Sequence, residues 1–130
     1  MKEVLDFLNK CGVYYLATVE GDQPRVRPFG AACIFEDKLY ITTSNQKPVF
    51  RQMMQNPKVE ISGMTEGKWI RLSGMVHQDD RREARAAMLE AHPVLGNMYA
   101  LDDGKFEVLY LSDAKAEICS FTEAPKTITF

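Results

Sequence analysis

The sequence predicts a mainly β fold, an antiparallel β-barrel with peripheral helices. Most apolar segments are short, rich in β-branched and aromatic residues, and bounded by Gly-, Asp-, Asn- or Lys-bearing turns. Stretches with helical apolar spacing are few and brief. Antiparallel strands joined by tight turns leave exposed edges, which closure into a barrel would remove. No repeat, linker or low-complexity segment interrupts the chain, and its 130 residues suit one domain over 1–130.

The elements follow in order. Val4, Leu5, Phe7, Leu8 and Cys11 share a helical face, so residues 2–11 read as a short amphipathic helix ended by Gly12. Val13–Val19 reads as a strand, and Glu20-Gly21-Asp22-Gln23 as a turn. A second strand spans Arg25–Phe35, and after Glu36-Asp37-Lys38 a third spans Leu39–Thr43, which predicts a three-stranded meander. Pro48 suits the first turn of a second helix carrying Val49, Phe50, Met53 and Met54 on one face, and Asn56-Pro57 ends it. Val59–Met64 and Trp69–His77 are strands four and five. Asp80 and Glu83 have the spacing of a capping box ahead of a third helix with Ala84, Ala87, Met88 and Ala91. His92-Pro93 disrupts that helix, and 94–104 read as a loop or short helical turn. Two last strands, Phe106–Leu111 and Ala116–Phe121, flank Ser112-Asp113, and the tail from Thr122 carries no strong signal.

Sixteen basic against eighteen acidic residues give a net charge of -2, which argues against general nucleic-acid binding. No apolar run approaches the length of a membrane span, and the N-terminus lacks the apolar core of a signal peptide. Cys11, Cys33 and Cys119 are odd in number and lack zinc-ligand spacing. They read as free thiols in a reducing cytoplasm. His77 and His92 have no spaced partner for a metal site, so no metal is expected. Dinucleotide-binding, P-loop and nucleophile-elbow motifs are absent.

Three places could carry chemistry. In Pro24-Arg25-Val26-Arg27-Pro28-Phe29-Gly30, Arg25 and Arg27 project to one strand face and repel unless that face is wet or meets an anion. Pro28 indicates an edge or bulge whose free backbone could hydrogen-bond a planar ligand. In Thr42-Thr43-Ser44-Asn45-Gln46-Lys47, hydroxyls, backbone N–H groups and a lysine converge on a helix N-terminus, an arrangement suited to a phosphate. Capping by Ser44 or Asn45 is the competing reading. Trp69, the sole tryptophan, suits either ordinary packing or contact with a flavin edge or substrate ring.

Taken in order, these segments resemble the pyridoxamine-phosphate-oxidase-like FMN-binding split-barrel superfamily, in its small branch that includes the nitroimidazole-resistance (Nim-type) reductases. The likeness covers nearly the whole chain. It rests on Tyr15-Leu16-Ala17-Thr18, Gln23–Pro28, Leu39–Ser44, Lys47, Asn56-Pro57 and Trp69-Ile70-Arg71-Leu72-Ser73-Gly74.

The resemblance implies a homodimer with two FMN sites at the subunit interface. Arg25, Val26, Arg27 and Pro28 would line the flavin. Thr42, Thr43, Ser44 and Lys47 would hold its phosphate, with Asn45 involved because two residues separate Ser44 from Lys47. Trp69 falls where the family places a flavin-contacting residue, from its own or the other subunit. The chain ends without the basic, histidine-bearing segment of true pyridoxamine phosphate oxidases, so pyridoxamine phosphate is not expected as substrate. The activity expected is an FMN-dependent reductase acting on a small acceptor such as a nitro compound or quinone, with no side chain assigned as general acid. A non-enzymatic flavin carrier or redox sensor, and a barrel that uses haem or a deazaflavin, are the alternatives.

Overall fold

A computed structural model describes all of residues 1–130. The strands are β1 (Tyr14–Glu20), β2 (Gln23–Phe29), β3 (Ala32–Phe35), β4 (Lys38–Ser44), β5 (Lys58–Thr65), β6 (Lys68–Asp79), β7 (Phe106–Cys119) and β8 (Lys126–Thr129). Helices α1 (Lys2–Cys11), α2 (Pro48–Gln55) and α3 (Arg82–Ala91) interrupt them, and a 3₁₀ turn covers Pro93–Asn97. All strand pairs are antiparallel, in the order β2-β1-β5-β6-β7-β4-β3, with β8 added to β7.

That order corrects the expected meander. The stretch read as one strand from Arg25 to Phe35 is two strands, separated at Gly30-Ala31. β2 pairs with β1 and β3 pairs with β4, so consecutive strands occupy opposite edges of the sheet. The chain passes directly from one edge to the other, bringing the edges together as a barrel with an open seam. Pro24 and Pro28 lie on edge strand β2, where a missing N–H costs no ladder bond.

The barrel interior explains the apolar periodicity. Leu16, Ile41, Ile61, Ile70, Leu72 and Leu109 are fully buried in one core with Val4, Phe7 and Leu8 of α1. Alternate residues on β4 and β7 point the other way: Tyr40, Phe106 and Val108 pack outside the barrel under Ala84 and Met88 of α3. β4 is therefore buried on both faces, whereas β5 shows strict alternation, with Val59 and Ile61 inward and Glu60 and Met64 outward. A Cβ at Gly63 would sit 2.9 Å from Cys11 Sγ, so the glycine lets α1 seat against β5.

Two hairpins close through two-residue turns in which both central residues have positive φ, Glu36-Asp37 and Glu66-Gly67. The last strands also differ from expectation. β7 is one continuous strand, with positive φ at Asp113 and a register shift opposite Ser73–Met75 where two strands were expected. The tail forms β8, which borrows its order from the exposed edge of β7 rather than from its own pattern.

The Asp80–Glu83 capping box does not form. Arg81 is the N-cap of α3 and no side chain caps the helix. Buried Asp79 sits here instead: its Oδ1 accepts from the Arg81 backbone N–H (3.1 Å), and its Oδ2 from Tyr40 Oη (2.7 Å) and Arg81 Nη2 (2.9 Å). Glu36 holds the far side of Arg81. The carboxylate thus ties the end of β6 to β4 and to the start of α3. Hydrogen bonds from Arg81, and secondarily from Tyr40, outweigh its burial and hold its pKa at about 2. Because this folded-state value lies below the unfolded one, the stabilisation is complete above about pH 4 and disappears as pH falls toward about 2. Its size is about 1–2 kcal/mol, reduced by the half-exposed Arg81 partner. Melting curves across this pH range should fall more steeply for the native chain than for Asp79→Asn; parallel curves would show that Asp79 is not the acid-sensitive tie.

Candidate functional site

The seam where β2 gives way to β3 opens into a cleft of about 290 Å³. One wall is the chain from Arg27 to Ala31. The floor is Thr42 and Thr43 of β4 with Lys47 and Val49 at the start of α2. The opposite wall is the 3₁₀ segment, contributing His92, Val94, Leu95, Met98 and Tyr99. The site is polar and cationic toward Arg27 and Lys47, and apolar toward Leu95 and Met98.

β-strand parity positions Arg27. It pairs with Leu16 across the β1–β2 ladder and so faces the barrel interior, where α2 packs on β1. Its Nη1 donates to Thr18 Oγ1 (2.7 Å) and to Leu16 O (3.2 Å), and its Nη2 donates to Gln52 Oε1 (2.6 Å). All these acceptors are uncharged. Burial, and then the nearby Arg25, lower the Arg27 pKa from its ordinary value. No carboxylate pairs with Arg27 or with exposed Lys47. The cleft therefore presents two positive side chains without counter-ions, one of them partly desolvated.

Arg27, Pro28, Thr42, Thr43 and Lys47 line this cleft together, from two segments far apart in sequence. The other candidates lie elsewhere within the chain. Arg25 shares the Arg27 face but is paired with Glu20 (3.0 Å). Val26 points outward and is 67% exposed. Ser44 is buried and its Oγ accepts the Gln46 N–H, while Asn45 Nδ2 donates to Gly104 O and Glu107 Oε2. Neither caps α2, whose N-cap is Lys47. Trp69 lies at the start of β6, its ring 4.9 Å from that of exposed Phe121.

The 3₁₀ wall is not among the site candidates in the sequence, where His92-Pro93 reads as the end of the third helix, His92 as a histidine without a metal partner, and 94–104 as a loop or short helical turn; the 3₁₀ turn at Pro93–Asn97 is that short turn. The available signal was the spacing of Leu95, Met98 and Tyr99 behind His92-Pro93, which is one short helical face. His92 fixes this wall to the seam: its Nε2–H donates to Ala32 O at 2.7 Å, because a carbonyl only accepts. On the other side of the seam, Tyr14 Oη donates to Ala31 O at 2.6 Å. Burial drives the Tyr14 pKa far above its usual value, so the phenol stays a donor.

The sequence profile described as pyridoxamine 5'-phosphate oxidase matches residues 1–112. The chain belongs to that family. A NimC/NimA family protein from Clostridium acetobutylicum has a solved structure that superposes with a TM-score of 0.98. It is 57% identical, over 100% of this chain and 92% of that chain, which places this chain in the Nim-like branch of the family. The split-barrel class and the branch expected from the sequence are both borne out.

More distant structures share the fold. An FAD-binding protein from Mesorhizobium loti is 20% identical with a TM-score of 0.63, over 92% of this chain and 94% of that one. A heme binding protein from Mycobacterium smegmatis is 17% identical with a TM-score of 0.72, over 92% of this chain and 53% of that one. No curated protein sequence gives a significant match.

The His92 hydrogen bond makes the seam wall testable. His92→Ala removes one half-buried donor, a loss of about 1 kcal/mol, and should lower the melting temperature by a few degrees. His92→Gln should recover part of that loss. Equal melting temperatures for native and His92→Ala chains would show that the wall is not tied at this point.

Proposed function

We propose that this chain is an FMN-binding oxidoreductase acting on a small acceptor such as a nitro compound or quinone. The observation that carries the reading is the pairing of Arg27 and Lys47 in one cleft with no carboxylate to neutralise them. Arg27, half-buried and without a counter-ion, is unfavourable unless an anion arrives, and exposed Lys47 stands free to meet the same anion. The remainder of the cleft suits the other end of a flavin: Leu95, Met98 and Tyr99 offer apolar contact, and Pro28–Ala31 offers backbone at a strand break.

In this reading Lys47 and the first turn of α2 hold the FMN phosphate, with the Thr42 and Thr43 segment beneath it. Ser44 and Asn45 shape that loop through their bonds to Gln46, Gly104 and Glu107. Arg27 places positive charge on the flavin side of the phosphate, and Arg25 and Val26 extend the same strand along the cofactor. The main chain after Pro28 orients the ring. Bound FMN would supply the electron-transfer chemistry, and the protein supplies position and charge. Positive charge near the ring favours its anionic reduced form and so eases reduction.

A second copy of the chain would cover the open side of the cleft. Tyr15 and Val26 are exposed on the outer face of β1 and β2, and Val94 and Met98 at the cleft rim, at 51–71% of their full areas. Large apolar side chains exposed at a cleft rim and on an uncovered sheet face mark a surface that is covered in use. Trp69 and Phe121 provide an aromatic pair that one subunit could present to the other's cofactor. No helix is long and apolar enough to cross a membrane. Three unpaired cysteines fit a cytoplasmic setting.

Purified chain supplied with FMN and then desalted should retain the visible absorption of oxidised flavin. A protein that stays colourless contradicts the reading, and a haem spectrum would replace it. Lys47→Ala should weaken FMN about 10- to 150-fold, the worth of one charge-assisted hydrogen bond, and leave riboflavin nearly unaffected. Equal losses for the two ligands would remove Lys47 from the phosphate site.

The assembly has its own test. Sedimentation at micromolar concentration should show a dimer whose melting temperature rises with FMN. A monomer that binds FMN tightly would refute the shared site.

A further inference from the structure

We infer that Gln52 is a positioning residue that keeps the charge of Arg27 available to an anionic ligand, and that its neutrality is the functional property. The inference rests on the reading of the cleft as an FMN site. Gln52 lies on the buried face of α2, 5% exposed, opposite equally buried Thr18 of β1. Its Oε1 accepts from Arg27 Nη2 (2.6 Å) and from Thr18 Oγ1 (2.6 Å). Thr18 Oγ1 in turn accepts from Arg27 Nη1 (2.7 Å). The three side chains close a ring in which every bond has a defined direction, from guanidinium to hydroxyl to amide oxygen and from guanidinium to the same amide oxygen. A side chain held at two of its nitrogens in this way has one orientation.

The identity of the acceptor is the informative part. A carboxylate has the same shape as the Gln52 amide and would bind a guanidinium more strongly. It would also cancel the charge. The neighbouring groups show the same separation. Glu20, the acidic residue of β1, is engaged by Arg25 (Nε 3.1 Å, Nη2 3.0 Å), and α2 carries no acidic residue in its first turn. Arg25 therefore occupies the local carboxylate, and Arg27 is held by neutral oxygens alone. The ring fixes where the cation points, and only a ligand in the cleft supplies a negative partner.

The test compares native, Gln52→Glu and Thr18→Val chains, each at full length, for FMN and riboflavin affinity and for melting temperature without ligand. Gln52→Glu should melt at or above the native temperature, because it gains an ion pair. Its FMN affinity should fall by about 10-fold or more with little change for riboflavin. Thr18→Val removes one arm of the ring and should lower the FMN-to-riboflavin affinity ratio in the same direction, by a smaller factor. A purely structural role would alter melting temperature and both ligands together without moving that ratio.

Native-like FMN preference in Gln52→Glu overturns the inference and leaves the FMN site standing. Should Gln52→Glu not fold, an unchanged ratio in Thr18→Val overturns it. Failure of the native chain to bind FMN overturns both.

Discussion

The architecture depends on one constraint: β2 and β3 are consecutive in sequence but lie at opposite edges of the sheet. The chain turns out of one ladder at Gly30-Ala31 and enters another, so the two edges meet without pairing. Backbone groups at that seam need partners other than a neighbouring strand. Tyr14 and His92 supply donors to Ala31 O and Ala32 O from opposite sides. What they leave open is the cleft. Fold and site are in this sense the same feature, since the place where the barrel fails to close is the place where a ligand can meet both strands and the start of α2.

Charge is distributed around this seam in two different ways. On the α3 side, Asp79 is fully partnered by Tyr40 and Arg81, and Glu36 completes the network; no buried side-chain N or O atom in the chain lacks a hydrogen-bond partner. This is structural charge, satisfied internally. On the cleft side, Arg27 and Lys47 are left without carboxylates, while Glu20, the acidic residue of β1, is turned to Arg25. The contrast separates groups that hold the fold from groups directed at something outside it. The two faces of the sheet divide similarly: α3 covers the outside of β3, β4 and β7, while the outside of β1, β2 and β5 exposes Tyr15, Val26 and Met64.

Much of this was legible in the sequence because it is encoded locally. The α1 and α2 periodicities, the Pro48 start and the alternation of β5 place those elements within a residue or two. The convergence of Arg27 with Thr42, Thr43 and Lys47 followed from ordered motifs shared with a family. The misreadings have a common physical origin, since each depended on partners far away in sequence. The continuous apolar run across Gly30-Ala31 gave no sign that its halves belong to opposite edges. The Asp80–Glu83 spacing matched a cap, but Asp79, fixed by distant Tyr40, already held the helix start. β8 is ordered by the edge of β7 and not by its own composition. The 3₁₀ wall contributes through packing, and Gln52 has meaning only once α2 is laid against β1.

The central claim is that two cations without carboxylate partners, Arg27 in the wall of the cleft and Lys47 in its floor, meet one phosphate-bearing flavin. A crystal structure of the chain with FMN tests this most directly. The account predicts the phosphate within hydrogen-bond distance of Lys47 Nζ at the start of α2, the isoalloxazine along Arg27–Ala31, and the Arg27–Gln52–Thr18 ring intact. FMN seated away from this seam, or a phosphate with no cationic contact from the cleft, would contradict it.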